Sequence, residues 1–184
     1  MTSGARRTFV LVDGENLDAT LGGSVLARRP EPEERPRWER LLTYAEKLWN
    51  QPATGLFFLN ATAHLPQSFV SALLAIGFRP VPLSGKTTEK VVDLGIQRTL
   101  DALVGHEADV LLCSHDGDFL PHVERLVGDR RVGLVGFREF MNAGFVTAGV
   151  EVHDLEYDVQ AFNITLPRTR VIPLEDFDPE EFLR

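Results

Sequence analysis

The chain has 184 residues, of which 43% are hydrophobic and 25% charged, and its net charge is −8. This length and composition are typical of one soluble globular domain, and the acidic excess argues against a broad basic surface for duplex nucleic acid. The first apolar run, residues 8–12, is too short for a signal peptide or a membrane span. The single cysteine, Cys113, excludes an intrachain disulfide and a cysteine zinc site. We therefore expect a cytoplasmic protein with no membrane partner.

Strands and helices alternate along the chain. In chain order the pattern predicts a strand at 8–16, a helix at 36–50, a strand at 53–62, a helix at 65–77, a strand at 78–85, a helix at 89–106, a strand at 108–114, a helix at 119–129, a strand at 131–137 and a short sixth strand at 151–158. Apolar strands separated by helices indicate an α/β fold, with a mainly parallel sheet covered on both faces. We expect a domain at 1–160 and an acidic, proline-punctuated arm at 161–184.

Acidic residues follow several of the predicted strands. Asp13 ends the first strand, Asp116 and Asp118 follow the fourth, and Asp93 lies in the first turn of the helix after the third. Open parallel sheets bind ligands at the carboxyl ends of their strands. If the first and fourth strands are neighbours, these acids meet at one edge. Each acid also has a structural interpretation, as a turn residue, a helix cap or a partner of the helix dipole.

Four carboxylates in one cleft would repel one another and resist ionising together. A divalent cation removes this difficulty, and oxygen ligands without cysteine or histidine favour Mg²⁺ or Mn²⁺. Such a cation orients a phosphate, activates water and neutralises charge that develops during phosphodiester cleavage. The acids therefore predict a metal site at the edge of the sheet.

Three short motifs carry a family resemblance: LVDGEN at 11–16, KVVD at 90–93 and SHDGDF at 114–119. In this order and on these elements they resemble the NYN domain family, which is similar to the PIN-like nucleases, over about residues 8–157. The resemblance implies a Rossmann-like, PIN-like three-layer fold with strand order 3-2-1-4-5, and a metal-dependent ribonuclease. The sequence departs from the family pattern at His115, where the family often has glycine, and it matches the pattern only loosely after the fifth strand.

The resemblance also implies roles for individual residues. The catalytic and metal-binding positions would be Asp13, Asp93, Asp116 and Asp118. Asn16 would orient a ligand water or a substrate phosphate, and we predict substrate contacts for Ser114 and Lys90 as well. His115 could act as a general base or be a solvent-facing loop residue.

A cluster of five arginines lies in the Gly/Pro-rich segment 22–37 and just after it: Arg28, Arg29, Arg35, Arg37 and Arg40. Because glutamates are interleaved with them, the segment could be a solvated, self-neutralising loop. The alternative is a loop that grips single-stranded RNA, with Trp38 available either for stacking on a base or for packing in the core.

The predicted function is a Mg²⁺- or Mn²⁺-dependent RNA endonuclease that cuts single-stranded RNA and leaves a 3′-hydroxyl and a 5′-phosphate. One alternative is a phosphatase-type phosphoryl hydrolase. Such enzymes place a second aspartate two residues after the first, where this chain has Glu15. Another alternative is non-catalytic: the cleft of an RNA- or nucleotide-binding protein, or an adaptor that forms a homodimer through its tail.

Overall fold

A computed structural model describes residues 6–169 and 171–184. Over these residues, six parallel strands form one sheet in the order β3-β2-β1-β4-β5-β6. The strands are β1 (Arg7–Asp13), β2 (Ala53–Asn60), β3 (Arg79–Leu83), β4 (Ala108–Cys113), β5 (Val132–Gly136) and β6 (Glu151–Asp154). The predicted order is confirmed, and the predicted sixth strand forms an edge beside β5.

Helices cover both faces of this sheet. They are α1 (Gly14–Thr20), α2 (Trp38–Trp49), α3 (Gln67–Ala75), α4 (Val91–Leu103), α5 (Leu120–Glu124) and α6 (Ala143–Thr147). One apolar layer joins the sheet to α1, α2 and α3, and the other joins it to α4, α5 and α6. The three-layer α/β architecture is therefore confirmed. None of the helices in the described part of the chain has both the length and the apolar character needed to cross a membrane.

The central strand β1 shows how the sequence produces two cores. Val10 and Val12 point into the layer with α2, whereas Leu11 points into the layer with α4, and all three are fully buried. Successive side chains of a strand alternate between faces, so an unbroken apolar run is the pattern for a strand covered on both sides. The same run holds the end of β1 firmly in the middle of the sheet.

The helix α4 presents one apolar stripe to the sheet, as its spacing predicts. Val92, Ile96, Leu100 and Leu103 are all buried, because residues three and four apart share one side of a helix. The stop after α3 at Gly77 is also confirmed: its φ of +93° is a conformation that a residue with a Cβ rarely adopts.

Several element boundaries differ from the prediction. The first strand stops at Asp13 instead of continuing to residue 16, because Asp13 caps a helix that begins at Gly14. Segment 22–37 contains a π-helical turn at Leu21–Val25 and a 3₁₀ turn at Pro32–Glu34. The helix predicted at 119–129 is shorter, since the chain tightens after Glu124, where Leu126 N–H donates to Val123 O.

The chain beyond β6 packs against the same domain. Ala161, Phe162 and Leu166 are buried in the apolar layer that also contains α2. The predicted division into a domain at 1–160 and an arm at 161–184 stays a prediction, and residues 1–5 and 170 of those two ranges lie outside the described residues.

Candidate active site

Asp13 is held at the carboxyl end of β1 by the register of the sheet and by a helix cap. Val12 is paired with Cys113 of β4, so the residues that follow each of them are neighbours. Asp13 Oδ1 accepts a hydrogen bond from Asn16 N–H at 3.3 Å, and Oδ2 accepts one from the Ser114 hydroxyl at 3.0 Å. The side chain is therefore fixed where the two central strands end, and Asp13 is only 1% exposed.

The loop after β4 links its acids to Asp13 through hydrogen bonds. The Ser114 hydroxyl donates to Asp13 and accepts Asp116 N–H at 3.1 Å. Asp116 Oδ1 in turn accepts Asp118 N–H at 2.9 Å and caps the 3₁₀ turn Gly117–Phe119. Ser114 is thus a buried bridge between the two strand ends. The acid that caps this turn is Asp116 and not Asp118.

Asp93 reaches the same edge from the first turn of α4. Burial raises the pKa of Asp93, and the charges of Asp116 and Asp118 raise it further against the opposing effect of Lys90. Lys90 Nζ lies 4.0 Å from Asp93 Oδ2, and the lysine side chain is 78% exposed. The lysine is therefore at the rim, where it is free to contact a solvent-borne ligand.

Burial makes the negative charge of Asp13 unfavourable. Burial raises the pKa of Asp13 to about 6, in spite of the hydrogen bonds from Ser114 and Asn16, and the charges of Asp93 and Asp116 add to the increase. A carboxylate that is out of water and beside other carboxylates is costly to ionise. A cation placed at this edge would lower that cost.

Glu15 is a fifth acid of this edge that the motif comparison did not place in the site. Burial raises the pKa of Glu15, and the charge of Asp93 raises it further. The sequence signal for Glu15 is its position two residues after Asp13. A helix that begins at residue 14 keeps its first turn, and with it Glu15, beside the end of β1. The sequence suggests Glu15 only through the phosphatase alternative.

His115 is a connecting residue and is not a solvent-facing one. Its Nε2 accepts Phe137 N–H at 2.7 Å, and its Nδ1 lies 3.2 Å from Asn16 Oδ1. Its backbone N–H also donates to Asn16 Oδ1 at 2.8 Å, and its ring stacks on Phe137. Burial lowers the pKa of His115 to about 4. The ring is therefore neutral at pH 7 and its basic nitrogen already accepts a hydrogen bond, which disfavours the general-base alternative.

Gly136 allows the backbone of β5 to approach the ring of His115. A Cβ atom at position 136 would lie 2.6 Å from His115 Nε2, which is closer than such atoms approach in proteins. The end of β5 therefore packs against the histidine, and the histidine ties that strand to the loops after β1 and β4. The side-chain oxygen of Asn16 makes the contacts with His115, so its side-chain NH₂ group is the part that remains to contact a ligand.

The described side chains at this edge do not form a complete metal site by themselves. Over residues 6–169 and 171–184, no three His, Cys, Asp or Glu side chains converge closely enough to hold a metal ion. The donors still suit Mg²⁺ or Mn²⁺ in kind, since all are carboxylates and the buried one is costly to ionise. Mg²⁺ keeps several waters and is commonly bound by one or two carboxylates together with substrate phosphates. These residues fit such a partial protein site.

The raised pKa of Asp13 predicts a measurable effect on stability. In the metal-free protein, Asp13→Asn should raise the free energy of unfolding at pH 7.5 by roughly 1–3 kcal/mol. Between the unfolded pKa near 3.8 and the folded pKa near 6, the folded chain binds more protons, so wild-type stability falls as pH rises through this window. The gain should therefore disappear near pH 4. Urea unfolding with chelator across this pH range measures it.

The control for this prediction is Asp129→Asn, an exposed aspartate between α5 and β5. This change should leave the stability nearly unaltered at either pH. Equal stability of Asp13→Asn and wild type at pH 7.5 would mean that burial does not penalise the Asp13 charge.

The fold and this edge together define a class of protein. A sheet of six parallel strands in this order, with helices around it, is consistent with a PIN-like fold. The NYN domain family matches residues 7–156, and the chain belongs to that family. NYN domains are PIN-like nuclease domains, typically ribonucleases, and such nucleases generally use divalent metals.

Comparison with solved structures supports the fold alone. The chain is similar to a protein of unknown function from Vibrio parahaemolyticus, with a TM-score of 0.65 and 16% identity, over 86% of this chain and 98% of that one. No protein with a curated description matches the sequence.

Proposed function

We propose that this protein is a divalent-cation-dependent endoribonuclease that cuts single-stranded RNA at the edge formed by Asp13, Asp93, Asp116 and Asp118. The observation that carries the proposal is a hydrogen-bonded link between acids at two strand ends of an NYN domain: the Ser114 hydroxyl donates to Asp13 and accepts Asp116 N–H. A divalent cation would offset the unfavourable charge of these acids. RNA brings phosphate oxygens that share the coordination of a cation.

The residues have distinct proposed roles. When bound, Mg²⁺ or Mn²⁺ would orient the scissile phosphate, activate water and neutralise charge on the leaving oxygen. Asp93 and Asp116, which are more accessible than Asp13, would hold it directly. Asp13 would act from the buried side, kept in position by Ser114. Asp118 would orient a ligand water at the outer side of the cleft.

Two polar residues would position the substrate. Lys90, at the start of α4, would contact a non-bridging phosphate oxygen when RNA approaches Asp93. The amide group of Asn16 would donate to the substrate, since its oxygen is already engaged by His115. In-line attack by water would then leave a 3′-hydroxyl and a 5′-phosphate.

The direct test uses a mixed pool of RNA with the wild-type protein. Cleavage should require Mn²⁺ or Mg²⁺ and stop with chelator, and the new 5′ ends should be substrates for ligation, as 5′-phosphates are. Cleavage that continues in chelator would exclude the cation-dependent mechanism. Release of inorganic phosphate from small phosphomonoesters, without RNA cleavage, would support the phosphatase alternative instead.

One observation favours a second candidate, a non-catalytic RNA-binding protein. The described residues offer no preformed set of three converging ligands, so RNA could bind without being cut. Calorimetry distinguishes the two functions, because Mn²⁺ binding that is lost in Asp116→Asn supports the nuclease. RNA binding without Mn²⁺ binding supports the binding protein.

A further inference from the structure

A cavity of about 440 Å³ opens beside the acidic edge. It lies between the start of α1, the segment leading into α2, the carboxyl end of β2 and the helix α3, and its lining is mainly apolar. Binding pockets for small organic groups have this size and character, with a few polar groups that fix orientation. The catalytic roles proposed above do not use it.

Three of the aromatic side chains that line it, Trp38, Phe57 and Phe69, pack against one another. Phe57 lies at the base, with Trp38 edge-on at a centroid distance of 5.3 Å and Phe69 edge-on at 5.2 Å. Phe57 is only 2% exposed, whereas Phe69 is 37% exposed, so Phe69 offers its surface to a ligand. Side chains of this kind stack on the faces of unpaired bases.

Gly14 connects this cavity to the acidic edge. A Cβ atom at position 14 would lie 2.5 Å from Phe57 Cε1, so only glycine allows the chain to pass so close to the ring. The residue before it is Asp13 and the residue after it is Glu15, which also lines the cavity. Gly14, which lines the cavity, is therefore adjacent in the chain to Asp13 of the acidic edge.

The polar groups at the rim suit a nucleotide. Glu15 provides carboxylate oxygens that accept hydrogen bonds from base N–H groups. Arg35 Nη1 lies 2.6 Å from Asp18 Oδ1, and both side chains are about half exposed. Exposed ion pairs contribute little to stability, so Arg35 is available to exchange this partner for an RNA phosphate.

We infer that this cavity binds one base of single-stranded RNA, next to the phosphate that the acidic edge acts on. The inference rests on the proposed ribonuclease function and adds a base subsite to it. Trp38, Phe57 and Phe69 enclose the base, Glu15 accepts from its N–H donors, and Arg35 contacts the backbone. Because uracil offers one ring N–H and no amino group, RNA bases with an amino group should bind better than uracil.

The test measures binding separately from cleavage. The full-length protein carries Asp116→Asn, chelator is present, and the probe is a fluorescent ten-nucleotide RNA in low salt, followed by anisotropy. Phe69→Ala in this background should weaken binding on the order of tenfold. A matched control is Leu74→Ala, on the same helix and 60% exposed but away from the cavity, which should bind as the parent does.

A second measurement begins with the parent protein, so its first result does not depend on folding of the variant. RNAs with one abasic nucleotide at successive positions should show one position at which the parent loses affinity. Phe69→Ala should be insensitive to that same position. Equal affinity of the parent for every abasic RNA, or an unchanged affinity in Phe69→Ala, would overturn the inference.

The two proposals fail in different ways. If the wild type cleaves RNA with Mn²⁺ but no position depends on its base, the ribonuclease stands and the base subsite is wrong. If one base is required for binding but no cleavage occurs under any condition, the subsite stands and the ribonuclease is wrong. Tight binding of a small apolar dye that RNA does not displace would also exclude the base as the occupant.

Discussion

Asp116→Asn is expected to reduce RNA cleavage in Mn²⁺ by on the order of 10³-fold, since several kcal/mol of charge stabilisation depend on a correctly held cation. Asp116 couples electrostatically to both Asp13 and Asp93. An amide at this position keeps the shape of the side chain but removes its charge. Initial rates of cleavage of a labelled RNA, at equal protein concentration and saturating Mn²⁺, measure the effect.

The fold should survive this substitution. Asp116 lies in a loop, and its contact with Asp118 N–H requires only an acceptor oxygen, which asparagine also has. Asp129→Asn is the matched control, because it removes the same charge from an exposed site that precedes the amino end of β5, away from the carboxyl ends of the strands. Its cleavage rate should equal that of the wild type. Undiminished cleavage by Asp116→Asn, with a normal thermal unfolding curve, would remove Asp116 from the active site.

The strands themselves and the edge that carries the acids could be predicted from sequence because both depend on local patterns. Residues 110–113 are apolar at every position, which is the pattern of a strand covered on both faces. Each such run is followed directly by an acid or by polar residues. The motif resemblance then supplied the order, and the observed register of β1 with β4 agrees with it.

Contacts between distant parts of the chain could not be predicted. The sequence is compatible with a catalytic or a solvent-facing His115, because nothing near it in sequence reveals that Phe137 N–H donates to its ring. The cavity beside Glu15 likewise depends on Trp38 and Phe69, which approach Phe57 from different elements. Such sites arise from packing, and periodicity along one element carries no information about them.

The buried ion pairs of Arg168 are a second feature that composition did not reveal. The acidic segment after β6 suggested an arm, yet the side chain of Arg168 is only 1% exposed. It donates to Asp154 at 2.6 Å, to Glu156 at 3.1 Å and also to Glu139. Its guanidinium lies over the rings of Phe137 and Tyr157. One residue thereby fastens the C-terminal segment to the ends of β5 and β6.

Arg168→Met is expected to lower the free energy of unfolding at pH 7 by about 3–5 kcal/mol, the usual cost of removing one member of a buried ion pair. Methionine keeps much of the apolar stem but leaves the buried Asp154 without its cation. Arg125→Met is the control, since Arg125 pairs with Asp101 at an exposed site and should cost less than about 1 kcal/mol. Urea unfolding at several pH values measures both.

The pH dependence identifies the cause of the loss. Burial raises the pKa of Asp154, but hydrogen bonds from Arg168 and from backbone N–H groups outweigh it, so the net pKa is lowered. The stabilisation is therefore present above the unfolded pKa and is lost as pH falls through the folded pKa. The difference between Arg168→Met and wild type should shrink below about pH 4, where unfolded aspartate is protonated. A difference that stays constant with pH would assign the loss to packing against Phe137 and Tyr157, because that contribution does not require a charged Asp154.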